Sequence, residues 1–461
     1  MDSAVIGEIL AVCMFFGLLA FMMLGFPVAF TLGGVSLAFA GLGILLGAFD
    51  TPLLAGAFGR TYDAIVNDVL ISIPLFVFMG VVLERSKIAE DLLTTMGQAF
   101  GKLPGGLGFA VVIVGALLAA STGIVGATVV TMGLISYPAM MRAKYDQRLA
   151  AGIITSSGTL AQLIPPSTVL ILVGTFMQNA NVQVQAAKGN FAATPVTVIE
   201  IFVAALIPGL LLASLYLLWV VYIAWRHPER VPPVAISDEE RRTFGMRVLK
   251  VMVPPLLLIV AVLGSILTGV ATATESATVG ATGAVILALF RRQVSIEMLR
   301  HACRATMTMS SMIFLIRIGA AIFSLVFRGL GGEKLAEDVF SQMPGGAVGA
   351  TIVVLLLMFV LGFFIDTFEI IFIIVPIFAP VLLKLGVDPL WLSVMMGMVL
   401  QTSYLTPPFG YAIFYLQGTV RDLPVQQIYR GVVPYIALQV CFAAMMWFFP
   451  QIATWLPKAV L

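Results

Sequence analysis

The sequence predicts an all-α protein that crosses a membrane many times and is built as an inverted repeat. Three observations lead to this fold class. Apolar residues make up 60% of the 461 positions and charged residues only 10%, far below the roughly 25% charged residues of a soluble domain. The apolar residues form stretches of about 20 residues, the length that crosses a bilayer as a helix. Finally, a set of proline and aspartate residues recurs in the two halves of the chain.

About ten apolar stretches, bounded by charges or by proline and glycine clusters, have the length of a membrane span. They cover residues 4–24, 28–48, 62–84, 149–176, 197–225, 251–269, 273–290, 305–328, 391–418 and 431–457.

Two other stretches, about 106–137 and about 347–383, are too long for one span and carry small or polar residues midway. The interruptions are Ser121-Thr122-Gly123 and the segment from Gly362 to Asp366. A backbone break at membrane depth is tolerated only where protein or a cavity surrounds it. We therefore predict that each stretch is a re-entrant helical hairpin.

The recurring residues indicate a duplication of the chain. One offset of 242 residues relates three pairs: Pro138 with Pro380, Asp146 with Asp388, and Pro165-Pro166 with Pro407-Pro408. The prediction is a first repeat over 1–225 with its broken span at 149–176, a cytoplasmic connecting loop over 226–250, and a second repeat over 251–461 with its broken span at 391–418.

The distribution of basic residues predicts how the repeats are oriented, because Lys and Arg collect in cytoplasmic loops. With the N-terminus outside, the predicted inner loops hold 18 basic residues and the outer segments six. Both termini are then outside, and the two hairpins open to opposite sides. Inverted repeats with broken helices are typical of secondary transporters.

Each repeat combines its hairpin with a Pro-Pro pair in the following span. Proline removes a backbone donor and frees an upstream carbonyl. Freed carbonyls and hydroxyls suit a cation such as Na⁺, and the N-termini of the broken helices suit an anion. The alternative interpretation is that the serine, threonine and glycine residues only let helices pack closely.

Ionisable groups inside spans are functional candidates. Asp366 is the strongest because it lies at the predicted break of the second hairpin. Glu369 and Arg317 either pair with each other structurally or contact the substrate. Glu275, near the end of a span, is expected to cap or pack.

Other classes of function find no support in the sequence. His227 and His301 lie in predicted loops, so a histidine-based catalytic or zinc site at membrane depth has no ligands. A nucleotide-binding P-loop motif is absent, and the net charge of +2 does not predict a nucleic-acid surface. An enzyme is therefore not expected, and hairpins of opposite orientation favour a carrier over a channel.

Six short segments together resemble a known family over roughly residues 4–457, the large membrane subunit of tripartite ATP-independent periplasmic (TRAP) transporters. They are Ser121-Thr122-Gly123, Tyr145-Asp146, Ile164-Pro165-Pro166-Ser167, Thr274-Glu275-Ser276-Ala277, Gly362 with Asp366, and Thr406-Pro407-Pro408-Phe409-Gly410.

The resemblance implies an elevator-type carrier in the bacterial inner membrane. It implies import of organic acids with Na⁺ as the coupling ion and without a bound cofactor. Its partners would be a small membrane subunit and a periplasmic substrate-binding protein. The alternative is a stand-alone ion-coupled carrier of organic anions with a related elevator fold. These motifs do not encode which acid is carried, how many Na⁺ ions accompany it, or the oligomeric state.

The resemblance also implies cation sites at the hairpin tips and Pro-Pro breaks. The candidate Na⁺ ligands are Ser121, Thr122, Gly158, Leu163, Asp366, Thr402, Thr406 and Pro407, with Leu163 and Pro407 acting through their backbone. The candidate substrate contacts are Ser157, Gln162, Ser167, Arg317, Glu369 and Gln401.

Overall fold

The computed structural model describes residues 2–190, 192, 195–234, 245–246 and 248–460. Within these ranges every regular element is a helix. The first half contains α1 Ser3–Met23, α2 Val28–Leu45, α3 Gly56–Ile65, α4 Asp68–Arg85, α5 Ile88–Ala99, α6 Gly106–Thr122, α7 Val125–Arg142, α8 Gln147–Thr159, α9 Thr168–Ala187 and α10 Val198–Arg226. The second half contains α11 Val253–Leu267, α12 Ala273–Phe290, α13 Ile296–Gly329, α14 Gly332–Ser341, α15 Gly346–Leu361, α16 Thr367–Lys384, α17 Pro389–Leu405, α18 Tyr411–Thr419, α19 Val425–Phe448 and α20 Gln451–Val460.

The helices confirm a multi-pass membrane protein. Among the described residues, eight helices are long and apolar enough to span a bilayer, or nine if α4 is counted with the short helical segment Thr51–Ile65 before it. Large apolar side chains point outward from several of them, including Phe16, Phe30 and Leu257. An apolar surface of this kind suits contact with lipid.

The span predicted at 62–84 is shorter than expected, because the helix breaks at Asn67. The Asn67 side chain accepts hydrogen bonds from the backbone N–H groups of Val69 and Leu70, both at 3.1 Å, and so caps a new helix. The segment Thr51–Ile65 and α4 meet at an angle of 47°.

The span predicted at 305–328 begins nine residues earlier, where the Ser295 hydroxyl accepts from the N–H group of Met298. The charged turns at the start of α13 lower the hydropathy without preventing a helix. At 34 residues, α13 is about 50 Å long and longer than a bilayer core is thick.

The structure confirms both predicted hairpins as helices that reverse direction. In the first, the N–H group of Gly108 at the start of α6 donates to the Tyr145 hydroxyl just beyond the end of α7, at 3.3 Å. In the second, Val348 near the start of α15 and Val387 just beyond α16 line one cavity. In each hairpin, the second helix therefore ends at the level where the first helix begins.

The two broken spans are each a pair of helices. A short 3₁₀ turn, Leu160–Gln162, and Pro165-Pro166 separate α8 from α9, while Thr406 and Pro407-Pro408 separate α17 from α18. Both Pro-Pro bonds are cis. Residues 235–244 and 247 of the predicted connecting loop lie outside the described residues. Its described start packs on the first hairpin, because the N–H group of Gly105 donates to the carbonyl of Val231 at 2.9 Å.

The helices pack into two groups. The frame group consists of α1–α4 and α11–α13, in which α4 packs on α12 and α13, and α2 packs on α13. The hairpin group consists of α6–α9 and α15–α18, in which α9 packs on α16 and α17. The groups meet where α13 contacts α16 and where α4 contacts α6 and α9. The next helix, α19, crosses α8 with its backbone in contact, since a Cβ added to Gly152 would lie 2.2 Å from the carbonyl oxygen of Gly431.

Candidate functional site

The tip of the first hairpin lies against the first Pro-Pro break. Gly123 ends α6 with φ +61°, a left-handed conformation that glycine adopts without strain. A Cβ added there would lie 3.0 Å from the carbonyl oxygen of Pro166 and 3.2 Å from the Thr168 hydroxyl. The predicted ligands Ser121 and Thr122 are therefore next to the break that contains Leu163.

The oxygen atoms at this tip are arranged to accept rather than donate. The hydroxyls of Ser121 and Thr122 both donate to the carbonyl of Leu118 at 2.9 Å, so lone pairs remain on each oxygen. Thr122 also contacts the Thr128 hydroxyl at 2.7 Å. The buried Thr168 hydroxyl has no hydrogen-bond partner among the described residues, and neither has the Ser157 hydroxyl, which lies farther from the tip, against Gly115 of α6. Such orphaned oxygens are suited to coordinating an ion.

The predicted ligand Gly158 provides close packing on the same site. A Cβ added to Gly158 would lie 2.3 Å from a methyl carbon of Val129 on α7. The absence of a side chain therefore lets α8 pack closely against α7, the second helix of the first hairpin. Leu163 is fully buried, and its N–H group donates to the carbonyl of Leu160.

The tip of the second hairpin is acidic. The Asp366 carboxylate caps α16 by accepting from the N–H group of Thr367 at 2.7 Å, and Glu369 reaches back to the N–H group of Asp366 at 3.3 Å. This is a capping box, in which two side chains satisfy the first donors of a helix. Ser403 on α17 packs so closely that a Cβ added to Gly362 would lie 2.1 Å from its hydroxyl oxygen.

The predicted ligands on α17 again donate their protons to their own helix. Thr402 donates to the carbonyl of Met398 at 2.8 Å, and Thr406 donates to the carbonyl of Thr402 at 2.7 Å. Their lone pairs stay available, as at the first tip. Two tyrosines that the motif reasoning missed complete this region: the Tyr404 hydroxyl accepts from the N–H group of Thr367, and the Tyr411 hydroxyl donates to the carbonyl of Phe364.

Gln162 connects the two halves of the site. Its Nε2 atom donates to the Thr367 hydroxyl of the second hairpin at 3.1 Å, and its buried Oε1 atom has no partner among the described residues. Ser167 fixes the backbone here by donating to the carbonyl of Gln162 at 2.9 Å. The structure thus brings together two predicted substrate contacts, Gln162 and Ser167, with the second hairpin tip.

Gln401 contributes to a separate buried network. Its Nε2 atom donates to the Tyr216 hydroxyl at 3.4 Å, and Gln439 donates to the same hydroxyl at 2.7 Å. Gln439 also reaches Thr159 at 3.4 Å. Tyr216 and Gln439 were missed because both lie in long apolar helices, although Thr159 and Gln401 are related by the repeat offset of 242.

The structure excludes the pairing of Arg317 with Glu369. Among the described residues neither belongs to an ion pair with the other: Glu369 caps α16, whereas the guanidinium carbon of Arg317 lies 4.8 Å from the ring centroid of Phe176. That alternative was wrong because a hydropathy pattern does not specify which face of α13 turns toward α16. Glu275 does cap its helix, together with Thr272.

The chain is similar to a known family of membrane transport proteins. Residues 15–452 match the family described as "Tripartite ATP-independent periplasmic transporter, DctM component". The C4-dicarboxylate TRAP transporter large permease protein DctM of Pseudomonas aeruginosa is 28% identical over 87% of this chain and 88% of its own length. The isethionate TRAP transporter permease protein DctMQ of Oleidesulfovibrio alaskensis is also 28% identical, over 83% of this chain and 57% of its own length.

The fold has a counterpart among solved structures. The crystal structure of the Alcanivorax borkumensis YdaH transporter, described as having an unusual topology, superposes with a TM-score of 0.60. The superposition covers 87% of this chain and 89% of that one at 15% sequence identity. This likeness concerns the fold alone.

Proposed function

Because the chain belongs to the DctM family of TRAP transporters, we propose that it imports an organic anion together with Na⁺ after a periplasmic binding protein delivers the substrate. The chain is the large membrane subunit of a transporter and not an enzyme. The observation that carries the proposal is the contact between Gln162 and Thr367, which joins the break of one repeat to the hairpin tip of the other.

The anion would bind where two helix N-termini point to the same place. The rings of Phe176 and Phe372 pack edge to face at 5.5 Å, eight residues after the first residue of α9 and five residues after the first residue of α16, so the two helices run side by side in the same direction. Together with the contact between Gln162 and Thr367, this places both N-termini side by side. Each N-terminus carries about half a positive charge, which attracts an anion. Gln162, Ser157 and Ser167 would supply the uncharged contacts.

The Na⁺ ions would bind beside the anion, among the carbonyls, hydroxyls and carboxylate of the hairpin tips and Pro-Pro breaks. Ser121, Thr122, Gly158 and Leu163 would serve the first tip. Asp366, Thr402, Thr406 and Pro407 would serve the second. Unwound carbonyls and C-terminal helix ends coordinate cations in transporters with this type of break.

The acidic tip offers a physical reason why binding of the anion would depend on binding of Na⁺. Asp366 lies at the N-terminus of α16, where its negative charge would repel an anionic substrate. A Na⁺ ion held by Asp366 would offset that repulsion, since opposite charges a few ångströms apart attract strongly in a low-dielectric site. The anion would therefore bind well only when Na⁺ is present.

The two helix groups support an elevator-type movement of the hairpin group along the frame group. Their contact at the first tip is made by small residues: a Cβ added to Gly80 of α4 would lie 2.7 Å from the Cα atom of Thr122. A smooth contact of this kind lets packed helices slide. By the distribution of basic residues, we propose a bacterial inner-membrane location with both termini on the periplasmic side.

The partners follow from the family. One relative carries the combined name DctMQ, and only 57% of its length matches this chain. The unmatched length supports a separate small membrane subunit for the present chain, in addition to the binding protein.

The test is uptake of a radiolabelled C4-dicarboxylate by proteoliposomes that contain this chain, its small subunit and its binding protein. We expect uptake to need both partners and an inward Na⁺ gradient. Asp366→Asn should raise the Na⁺ concentration for half-maximal uptake about tenfold, if the lost charge contributes about 1.4 kcal/mol to Na⁺ binding.

The matched control is Asp388→Asn. Asp388 also caps a helix, accepting from the N–H groups of Leu390 and Trp391 at 2.9 Å, but it lies at the other end of the second hairpin. Asparagine preserves a helix cap, so only the charge changes. Equal Na⁺ dependence in both variants would contradict the role of Asp366. Uptake without the binding protein would indicate the stand-alone carrier instead.

A further inference from the structure

A cavity of about 80 Å³ lies between the frame group and the hairpin group. Arg60 of α3 and Arg317 and Arg328 of α13 line it on the frame side, and Phe176 and Pro376 line it on the hairpin side. Pro376 comes nine residues after the first residue of α16, about 14 Å along the helix axis. The cavity is therefore separate from the hairpin tips.

Arg317 is a half-buried cation without an anionic partner among the described residues. Its Nε atom is buried and makes no hydrogen bond among the described residues. The ring of Phe176 provides a cation–π contact at 4.8 Å, which offsets little of the cost of placing a charge at membrane depth. The charges that act on Arg317 are those of Arg60, which repels it, and Asp63, which attracts it.

The carboxylates near the other two arginines of the cavity do not neutralise the charge of Arg317. Arg328 is already paired with Glu333, Nε to Oε2 at 2.8 Å, and donates to Gln183 at 2.9 Å. Arg60 forms no ion pair within the described ranges, and the acids that act on it are again Asp63 and Glu333. Three guanidinium groups thus face two carboxylates, which leaves an excess of one positive charge.

We propose that this cavity binds one small anion between Arg317 and Arg60. Its volume equals roughly two to three water molecules, which is room for one carboxylate group or one halide ion but not for a whole dicarboxylic acid. The planar guanidinium fork matches a carboxylate. The anion is either a carboxylate of the transported acid, an assignment that rests on the proposed function, or an inorganic ion such as chloride.

The test measures thermal unfolding of the purified full chain in detergent, with Na⁺ and ionic strength held constant. Methanesulfonate serves as the background anion because it carries no carboxylate and is larger than a halide or formate, and it is replaced stepwise by chloride or by formate. We expect one of these anions to raise the Tm by about 2 °C or more at saturation. A rise with chloride identifies an inorganic ion, and a rise with formate alone identifies a carboxylate.

The rise should disappear in Arg317→Gln and persist in Arg304→Gln, an exposed arginine on the same helix. If Arg317→Gln does not fold, Arg60→Gln should reduce the rise at least twofold, and Arg317→Lys should keep part of it. No rise in the unaltered chain with either anion, or the same rise in Arg317→Gln, would overturn the proposal. Because this readout needs no partner, no Na⁺ gradient and no uptake, its failure is distinguishable from failure of the proposed function.

Discussion

The two hairpin tips occupy equivalent positions in the repeats but differ in chemistry. The first tip is neutral: Ser121 and Thr122 offer hydroxyl oxygens, and α6 and α7 are separated by only two residues. The second tip is acidic: Asp366 and Glu369 form a capping box, and five residues, of which Asp366 is the last, separate α15 from α16. The two repeats thus share the order hairpin then broken helix, but only the second has a charged tip.

This difference indicates that the two tips have different roles in ion binding. A site of neutral oxygens binds a cation through several weak contacts, so the loss of one ligand lowers affinity moderately. A carboxylate beside a helix N-terminus also influences any anion nearby. We therefore expect the second tip to affect both Na⁺ affinity and coupling to the anion, and the first tip to affect Na⁺ affinity alone.

The largest effect on stability should come from adding a side chain at the two glycines, Gly362 and Gly158, that let helices pack closely beside the breaks. Gly362→Ala would place a Cβ 2.6 Å from the Cβ of Ser403, which no side-chain rotation relieves. Gly158→Ala would meet a methyl carbon of Val129, which can rotate at some cost. We predict that Gly362→Ala lowers the free energy of unfolding by about 2–3 kcal/mol, and Gly158→Ala by about 1–2 kcal/mol.

Chemical denaturation in detergent measures both variants. Gly34→Ala is the control, because no atom lies within 4 Å of the added Cβ and α2 is a regular helix there. It should be neutral or stabilise the chain by up to about 1 kcal/mol. An equal loss in Gly34→Ala would show that the effect has nothing to do with the breaks.

A smaller effect is expected from removing one oxygen at the neutral tip. Thr122→Val keeps the shape of the side chain but removes the oxygen that contacts Leu118 and Thr128. We predict a rise of about fivefold in the Na⁺ concentration for half-maximal uptake, equivalent to about 1 kcal/mol, with an unchanged maximal rate. Thr278→Val on the exposed face of α12 is the matched control, and an identical rise there would contradict a ligand role.

Removing the contact between the repeats should weaken substrate binding. Gln162→Leu removes the donor to Thr367 while keeping a side chain of similar size. We predict that the KM for the substrate rises about fivefold to tenfold, in line with the loss of about 1–1.4 kcal/mol, while the Na⁺ dependence stays within twofold. A changed Na⁺ dependence with an unchanged KM would assign Gln162 to the cation sites instead.

The smallest effect should come from the base of the second hairpin. Lys384 at the end of α16 pairs with Glu337 of α14 at 2.7 Å, with both side chains partly exposed. Glu337→Gln should change the free energy of unfolding by less than about 1 kcal/mol and leave uptake as it is. A loss of uptake would mean that the hairpin base, and not only its tip, takes part in transport.

The sequence predicted the architecture of this site better than its contacts. Apolar length and the offset of 242 residues located both hairpins and both breaks, because bilayer thickness and backbone hydrogen bonding limit the choices. Asp366 was identified because a carboxylate within an apolar stretch is costly. These features depend on local sequence.

Contacts between distant helices did not follow from local sequence. The bond from Gln162 to Thr367 and the network of Tyr216 with Gln439 join residues more than 200 positions apart, so their partners depend on helix rotation and packing. Arg317 illustrates the same point: its position in a span was evident, but its neighbours proved to be Phe176 and Arg60 rather than Glu369.

Direct Na⁺ binding tests the central claim, that the two breaks hold separate cation sites. Isothermal titration of the purified chain with NaCl, at constant ionic strength set by choline chloride, should show Na⁺ binding in the unaltered protein. Thr122→Val and Asp366→Asn should each weaken one site, and the double variant should weaken both, so that no site keeps the affinity of the unaltered chain. A double variant that binds Na⁺ as the unaltered chain does would contradict the account.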